Sequence, residues 1–361
     1  MMAGAYGISS GLIYPPGIFA KTDELVEVAK VAAEYGGVYD THIRGEGNTL
    51  LESLEEAISI GEKAGIPVQI SHHKAASRSV WGKSTETLKM LDEARDNGVD
   101  VTVDQYPYRA GATSLATCLP PWAHDGGMSD LLKRLEDPEL RGKMKKDIED
   151  GIPGWENFAG ELGWDNVMVS SVNSEDRKAY EGKNLEEIRE MRGDPDAHTT
   201  LFDVILEEKG AVGMIIFAMK EEDVRRIMKH PLQMVGTDSS ASAAEGYMSS
   251  GKPHPRGYGT YPKILGRYVR EDGVLRLEDA VRKMTSFPAQ RFGILDRGLL
   301  MPGLWADIVV FDPEKVLDKA TYQDPHQYPD GIEYVVVNGQ VAVDHGRYTG
   351  ILAGKTLRKG V

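Results

Sequence analysis

Short strand patterns and amphipathic helix patterns alternate over the first hundred residues, and this alternation limits the possible folds more than any other feature. The strand patterns lie at 7–14, 38–42, 67–73 and 99–108, and helix patterns run from about 22, from 50 and over 84–96. A strand, a helix and a second strand joined by short links form a βαβ unit, and the crossover of such a unit is right-handed. The sequence therefore predicts α/β units with a parallel sheet.

Two architectures share this pattern, a doubly wound sheet and a (β/α)8 barrel. Four polar residues stand at the C-terminal ends of different strand patterns: His42, His72, Tyr106 and Asp238. In a barrel these strand ends converge on one mouth, where the catalytic groups of such enzymes lie. No GxGxxG or P-loop pattern follows a strand, which weakens the nucleotide-binding alternative. We therefore favour the barrel.

Composition narrows the class of protein. The chain has 361 residues, of which 41% are hydrophobic, and a formal net charge of −14. An acidic surface does not suit nucleic acid, and no stretch reaches the roughly 20 apolar residues of a membrane span. The first residues lack a signal-peptide pattern. Cys118 is the one cysteine, which excludes an intrachain disulfide and fits a reducing compartment. We expect a cytoplasmic protein with a small-molecule ligand and with neither nucleic acid nor membrane as a partner.

The two histidines at strand ends are candidate metal ligands. Alternate residues of a strand share a face, so His42 and His72 can both point into a barrel, whereas His73 points outward. Two such histidines with a carboxylate nearby are what a zinc-dependent hydrolase requires. The alternative is that they are hydrogen-bonded core residues.

Three more residues allow two interpretations each. Asp238, in a Thr-Asp-Ser-Ser run, is either a helix cap or turn residue, or a carboxylate that takes a proton from metal-bound water and returns it to the leaving group. Lys74 and Tyr106 are either structural or hold a substrate carboxylate, through a cation and a hydroxyl respectively.

The rest of the chain is predicted in three parts. The segment at about 113–210 is irregular and charge-rich, which indicates an inserted lid-like segment. The patterns at 211–219 and 231–240 then resume the strands, around a helix at 220–229. Residues 297–361 have the frequent turns and strand patterns of antiparallel β-structure. We thus predict a barrel over 1–296, with that insertion, and a β-rich C-terminal part over 297–361.

Six segments, in chain order, resemble signatures of the N-acyl-D-amino-acid deacylases (D-aminoacylases) of the amidohydrolase superfamily. They are GISSGLIYPPG, THIRGEG, ISHHK, DQYPY, VGTDSS and HPRGYGTYP. The later stretch MTSFPAQRFGILDRGLLMPGLWADIVVFDP is similar to the general superfamily ending, where the chain leaves the barrel and joins a small β-sandwich.

The resemblance implies a (β/α)8 TIM-like barrel of the metallo-dependent hydrolase type. It implies Zn²⁺ bound by His42 and His72, and Asp238 as general base and then acid. It also implies that Lys74 and Tyr106 hold the α-carboxylate of the substrate. The implied reaction is hydrolysis of the amide bond of an N-acyl-D-amino acid to a carboxylate and a free D-amino acid.

The same resemblance equates 38–42 with the fifth barrel strand, so we expect strands one to three and their metal ligands to be absent. We therefore expect self-association or a complementing N-terminal chain. Two alternatives remain at this point. One is a cyclic-amide amidohydrolase, similar to a hydantoinase or dihydroorotase. The other is a non-catalytic truncated remnant that needs a partner chain.

Overall fold

The computed structural model describes residues 1–360. The strands in chain order are β1 (Gly7–Gly11), β2 (Val38–His42), β3 (Val68–Ile70), β4 (Val101–Gln105), β5 (Gly111–Ser114), β6 (Val167–Ser171), β7 (Gly213–Ile216), β8 (Gln233–Val235), β9 (Ile308–Phe311), β10 (Ile332–Val337), β11 (Gln340–Asp344) and β12 (Arg347–Tyr348). The α-helices are α1 (Thr22–Glu34), α2 (Leu50–Ala64), α3 (Ser84–Asp96), α4 (Met128–Glu136), α5 (Pro138–Asp150), α6 (Phe158–Leu162), α7 (Leu185–Arg192), α8 (Ala197–Glu207), α9 (Glu221–Lys229), α10 (Arg256–Lys263), α11 (Leu277–Met284) and α12 (Ser286–Arg291). A π-helical stretch, Ile264–Glu271, continues α10.

A five-stranded parallel sheet organises the first part of the chain, as its alternation of strands and helices predicts. Its strand order is β1-β2-β3-β4-β8, and every neighbouring pair is parallel. The three strands β2, β3 and β4 are buried along most of their length because helices cover the sheet. The C-terminal ends of these strands therefore lie side by side, which brings the candidate site residues together.

Helix α2 shows why the local sequence forms these elements. Its buried stripe repeats at helical spacing and includes Leu50, Leu54, Ala57 and Ala64. Gly65 ends the helix in the left-handed conformation, with φ of 63°. Helix α1 begins at Thr22, where we predict it. The Thr22 hydroxyl donates to Glu56 of α2 over 2.7 Å and ties the two helices together.

The prediction that 211–219 resumes the parallel strands is wrong. This segment contains β7, which lies at the centre of a three-stranded antiparallel sheet of order β5-β7-β6. Met214, Ile215 and Ile216 are all buried. Because both faces of β7 are apolar, its pattern identifies a buried strand but not the sheet that contains it. The boundaries predicted for the inserted segment and for the two domains stay predictions.

The C-terminal strands form an antiparallel sheet of order β12-β11-β10-β9, as the turn-rich sequence predicts. The final residues then return to the start of the chain. Lys359 N–H donates to Gly4 O over 3.0 Å, and Arg358 Nη1 donates to Ala3 O over 2.7 Å. The two ends of the described chain are therefore in contact.

Within residues 1–360 the parallel sheet has two edges, because β1 pairs only with β2 and β8 pairs only with β4. The expected self-association or complementing chain stays a prediction. Among the helices of this described part, none is both long and apolar enough to cross a bilayer.

Candidate metal and active site

His42 and His72 meet above adjacent parallel strands. His42 Nδ1 and His72 Nε2 are 3.0 Å apart, within hydrogen-bond distance. Their rings lie edge to face, with centroids 4.5 Å apart. His73 points away, and its Nε2 lies 2.9 Å from the Thr87 hydroxyl of α3. His72 and His73 thus have different partners, as we expect, although both lie beyond the end of β3 at Ile70, where the alternation of a strand no longer applies.

The backbone of His72 is held by the next strand. Its N–H donates to Asp104 Oδ1 of β4 over 2.8 Å. Gln69 Nε2 donates to the other oxygen of this carboxylate, over 2.7 Å. His72 has a left-handed backbone with φ of 41°, which is costly for a residue with a side chain. The two hydrogen bonds to Asp104 help to fix His72 in this conformation.

Glu46 completes the cluster, and sequence reasoning missed it. Its carboxylate is buried, with Oε1 3.0 Å from His72 Nδ1 and Oε2 3.9 Å from His42 Nε2. One donor atom from each of these three residues lies within 4.8 Å of the others. The spacing HxxxE in THIRGEG was the available signal. It was weak because Glu46 lies in a loop, beyond the strand end at His42.

Lys74 neutralises this buried carboxylate. Its Nζ donates to Glu46 Oε1 and lies 2.7 Å from His72 Nδ1. Burial opposes the charge of Lys74, but Glu46 and then Tyr106 and Asp238 raise the pKa of Lys74 above its usual value. Burial also opposes the Glu46 carboxylate, yet Lys74 and the two histidines hold the pKa of Glu46 well below its usual value. Both groups are therefore charged near pH 7.

The side chains of this cluster fit a metal ion. Burial, against the opposing charge of Glu46, lowers the pKa of His42 to about 3, so the imidazole is neutral. Across residues 1–360, no hydrogen-bond partner reaches the buried His42 Nε2. A neutral imidazole nitrogen without a partner, a second imidazole and a carboxylate form a typical donor set for zinc. Such buried atoms are normally paired, so a cation is the simplest partner.

Asp238 follows strand β8 and lies beside Arg256. Its φ of 46° is also left-handed, and its side chain is 36% exposed. Arg256 Nη1 lies 2.8 Å from Asp238 Oδ2, but the approach is not aligned as a hydrogen bond. The contact is thus an ion pair, which leaves the lone pairs of Asp238 available to a further proton donor.

Tyr106 is buried between two cations. The Lys74 ammonium lies 5.5 Å from the centre of its ring, and the Arg256 guanidinium lies 4.7 Å from it. Burial raises the pKa of Tyr106, so its hydroxyl keeps its proton near pH 7. Two cations and a phenol are therefore close together, a combination that suits an anionic group.

One cavity brings these residues together. It has a volume of about 40 Å³, and its walls include His42, Glu46, Lys74, Tyr106 and Asp238. This volume is sufficient for a water molecule. Four of the five residues singled out from the sequence thus border the same space, and the fifth, His72, contacts His42 directly.

Glu156 supports the cluster from the segment after β5. Its Oε2 accepts a hydrogen bond from the backbone N–H of Glu46 over 3.0 Å. Burial first, and then the charge of Glu46, raises the pKa of Glu156 to about 8. Glu156 is thus largely protonated at neutral pH, and sequence reasoning missed it too.

Comparison with known proteins identifies the family. A sequence profile described as the amidohydrolase family matches residues 16–343. The chain belongs to the amidohydrolase family. The site described above thus lies within the part of the chain that carries the similarity to other amidohydrolases.

Two curated relatives match nearly the whole of this chain. A D-aminoacylase of Alcaligenes xylosoxydans xylosoxydans is 36% identical over 359 residues, covering 99% of this chain and 62% of the relative. An N-acyl-D-glutamate deacylase of the same organism is 38% identical over 337 residues, covering 93% and 58% respectively. This amidohydrolase chain therefore spans about three fifths of the length of the curated relatives it matches.

One similar solved structure contains a bound metal ion. It is an N-acyl-D-glutamate deacylase of Bordetella bronchiseptica in complex with zinc and a phosphonate inhibitor that mimics the tetrahedral intermediate. It superposes with a TM-score of 0.75 at 34% identity, covering 98% of this chain and 63% of that one. This amidohydrolase chain thus shares the fold of the corresponding part of that deacylase over nearly its whole length.

Other polar side chains have different surroundings. Arg256 lies beside Asp238, whereas Arg44 pairs with Glu56 and Arg109 is exposed. His254 is buried, and its Nε2 lies 2.8 Å from the carbonyl oxygen of Ala110. Cys118 is buried, which raises the pKa of its thiol to about 12.

Proposed function

We propose that this chain carries the catalytic centre of a zinc-dependent hydrolase, which cleaves the amide bond of N-acyl-D-amino acids into a carboxylate and a free D-amino acid. The observation that carries the proposal is the shared cavity. His42, Glu46, Lys74, Tyr106 and Asp238 all border it. The names of the relatives support the same reaction.

In this proposal His42, Glu46 and His72 hold the zinc ion. Zinc, when bound, polarises an amide carbonyl and lowers the pKa of an attacking water. The three residues supply two imidazoles and one carboxylate within 4.8 Å of one another. Three protein ligands are typical of a catalytic zinc site.

Asp238 moves the proton. Its carboxylate faces the water-sized cavity, so an oxygen of Asp238 accepts a proton from the attacking water. The same oxygen then donates this proton to the departing amide nitrogen, which leaves as an amine. Arg256 holds the Asp238 carboxylate through the 2.8 Å ion pair.

Lys74, Tyr106 and Arg256 orient the substrate. A free α-carboxylate needs positive charge and a hydrogen-bond donor, and these three residues provide two cations and a phenol. Binding of the carboxylate at this end positions the scissile amide between the histidines and Asp238. This arrangement requires a free α-carboxylate in the substrate.

The proposal also covers the architecture of the chain. We infer that the five parallel strands belong to a (β/α)8 barrel, that residues at about 113–210 form a lid-like insertion, and that 297–361 is a separate β-rich part. The parallel order of β1 to β4 and β8 supports the barrel. The single buried thiol at Cys118 supports a reducing, cytoplasmic location.

The test is hydrolysis of matched enantiomers by the zinc-supplemented protein. We expect release of the free amino acid from N-acetyl-D-methionine and none from N-acetyl-L-methionine. Asp238→Asn should lower kcat by about 100-fold or more because the proton acceptor is lost. The exposed Asp96→Asn change is the matched control and should leave kcat unchanged. Hydrolysis that is equal for both enantiomers, or that persists in Asp238→Asn, would contradict the proposal.

A further inference from the structure

The loop that follows Asp238 is mostly exposed. Residues 239–251, which we call the Asp238 loop, lie between strand β8 and helix α10, and their partly buried members include Ala243, Ala244 and Gly251. Within residues 1–360, the hydrogen bonds from this loop to other parts of the chain involve the same three residues. The position of the chain after Asp238 therefore depends on their partners.

Two of these partners contact each other. Tyr258 of α10 is buried and donates its hydroxyl to Ala243 O over 2.9 Å. His326, in the connection between β9 and β10, has its Nε2 3.0 Å from Gly251 O. The Tyr258 hydroxyl and His326 Nδ1 are themselves 3.0 Å apart. The tyrosine and histidine side chains thus join two points of the Asp238 loop to each other and to α10.

The protonation of His326 decides whether all of these hydrogen bonds form together. A carbonyl oxygen only accepts, so the Tyr258 O–H points at Ala243 O and the Nε2–H points at Gly251 O. The Tyr258 oxygen is then left to accept from Nδ1, and both ring nitrogens carry a hydrogen only in the protonated ring. A neutral ring lacks one of the required hydrogens, so one of the hydrogen bonds is lost.

The elements around His326 carry further ionisable groups. They are Tyr258 and Lys263 of α10, Glu245 of the Asp238 loop and Lys252 just after it, and Asp324 and Tyr328 of the connection between β9 and β10. Lys263 is paired with Asp318 at 3.6 Å, and Lys252 Nζ lies 3.5 Å from Gln323 Oε1. Within residues 1–360, Tyr258 is the ionisable side chain within hydrogen-bond distance of the His326 ring. A proton on His326 therefore acts directly on Tyr258.

Helix α10 connects this network to Asp238. Arg256 of this helix forms the 2.8 Å ion pair with the Asp238 carboxylate. Tyr258 of the same helix holds Ala243 in the loop that follows. One helix thus fixes both the Asp238 side chain and the backbone beyond it.

We propose that His326 is a positioning residue for Asp238. In its protonated form it joins the Asp238 loop to Tyr258 at both Ala243 and Gly251, and the loop is held less firmly when the ring is neutral. This inference rests on the proposed function, in which Asp238 moves the proton. A loosened loop leaves Asp238 less often in the orientation that proton transfer requires.

The experiment measures amide hydrogen exchange of the full chain by mass spectrometry at about pH 6 and about pH 8, the range in which histidine ordinarily changes its charge. Rates are divided by those of the unstructured peptide, which removes the intrinsic effect of pH on exchange. Protection of residues 239–251 should be at least about threefold higher at the lower pH, because a charge-assisted hydrogen bond is added there.

Two variants remove the titrating contact. His326→Gln keeps an amide donor for Gly251 O but gains no proton, and Tyr258→Phe removes the hydroxyl, so both should lose the pH dependence of loop protection. A second tyrosine–histidine pair, Tyr334 and His345, has its hydroxyl and Nε2 2.7 Å apart and provides the matched controls. Tyr334→Phe and His345→Gln should keep the wild-type dependence. Circular dichroism confirms that each variant is folded.

The possible results separate this inference from the proposed function. Protection that depends on pH, and that loses this dependence in His326→Gln and Tyr258→Phe alone, supports the role of His326 even if the chain hydrolyses nothing. Protection independent of pH, a dependence that either of these variants keeps, or one that His345→Gln also loses, overturns it even if hydrolysis is observed.

Hydrolysis adds a second measurement if N-acetyl-D-methionine is a substrate. His326→Gln should then lower kcat at the lower pH by at least about threefold, because Asp238 is less well positioned. KM should stay unchanged, because Lys74, Tyr106 and Arg256 still bind the substrate carboxylate. An unchanged kcat, or a change confined to KM, overturns the positioning of Asp238 by His326.

Discussion

At the scale of single residues, the candidate site combines buried charge with backbone strain. His72 and Asp238, both singled out by their position at strand ends, have left-handed backbones with φ of 41° and 46°. Such conformations cost on the order of 1 kcal/mol each and cluster at functional sites. Glu46 and Lys74 form a buried ion pair beside His72. The Lys74 ammonium thus faces the same acceptor atoms as the proposed zinc ion.

Lys74→Met tests this competition. Removal of the cation leaves the Glu46 carboxylate buried without its main partner, which should lower the stability of the metal-free protein by about 3 kcal/mol. Zinc should restore much of this loss and bind more tightly, because a neighbouring positive charge is gone. Thermal unfolding with and without zinc measures both effects.

The control for this change is Lys83→Met. Lys83 pairs with Glu86 on the surface of α3, where such a pair contributes about 0–1 kcal/mol. A zinc-dependent gain in melting temperature that is no larger in Lys74→Met than in Lys83→Met would argue against competition for the same acceptors.

His254 should contribute to the pH dependence of the stability of the folded chain. Its Nε2 lies 2.8 Å from the oxygen of Ala110 and its Nδ1 accepts from the Arg256 N–H over 3.0 Å, so the ring is neutral. Burial, then the charge of Arg256, lowers the pKa of His254 well below its usual value. As pH falls below about 6.5, the unfolded chain gains a proton here that the folded chain does not, so stability falls by up to about 1.4 kcal/mol per pH unit.

His254→Gln keeps both hydrogen-bonding atoms and removes the titration. The slope of stability against pH between pH 6.5 and pH 5, from urea unfolding, should therefore be smaller in this variant than in the wild type. The same substitution at the exposed His345 should keep the wild-type slope. Identical slopes in His254→Gln and wild type would refute this account of His254.

At the scale of elements, helix α2 packs closely against strand β3 at a single glycine, Gly61. A Cβ atom on Gly61 of α2 would lie 2.3 Å from Val68 Cγ2 of β3. Val68 is fully buried, so it has little room to move. Only glycine lets this helix approach the strand that precedes His72. The closeness of α2 to β3 thus positions the histidine pair.

The matched substitutions Gly61→Ala and Gly142→Ala should change the free energy of unfolding in opposite directions. Gly61→Ala should destabilise the protein by about 1–3 kcal/mol through overpacking. Gly142, inside α5, has open space around it, and its replacement should stabilise the protein by up to about 1 kcal/mol through helix propensity. Urea unfolding measures the change in stability of each variant. If both variants were stabilised, or both destabilised, the packing argument would be contradicted.

Element prediction from the sequence succeeded where local signals and periodicity agree. Helices α1, α2 and α3 and strand β2 lie where spacing and terminal residues predict them. Strand β7 was assigned to the wrong sheet, because an apolar pattern does not encode its neighbours.

Glu46 and Glu156 were missed because each acts through long-range contacts: Glu156 reaches the backbone of Glu46 from 110 residues away in the chain. Such contacts have no local signature.

At the scale of the whole molecule, charge distribution favours an anionic ligand in one place. The chain has a formal net charge of −14, which repels anions at long range. Lys74 and Arg256 are nevertheless buried together around Tyr106. Lys74 borders the cavity that also contains His42 and Asp238, and a carboxylate that contacts a buried cation interacts with it more strongly than at the surface. In the proposed function, this arrangement would favour a substrate with a free carboxylate.

The central claim, that His42, Glu46 and His72 form a metal site, is tested most directly by zinc content after equilibrium dialysis. The account predicts about one zinc per wild-type chain and at least tenfold weaker binding in His42→Ala and Glu46→Gln, as for loss of a ligand. Glu86→Gln, on the exposed face of α3, should bind zinc as the wild type does. Less than about 0.1 zinc per wild-type chain, or equal zinc in all four proteins, would contradict it.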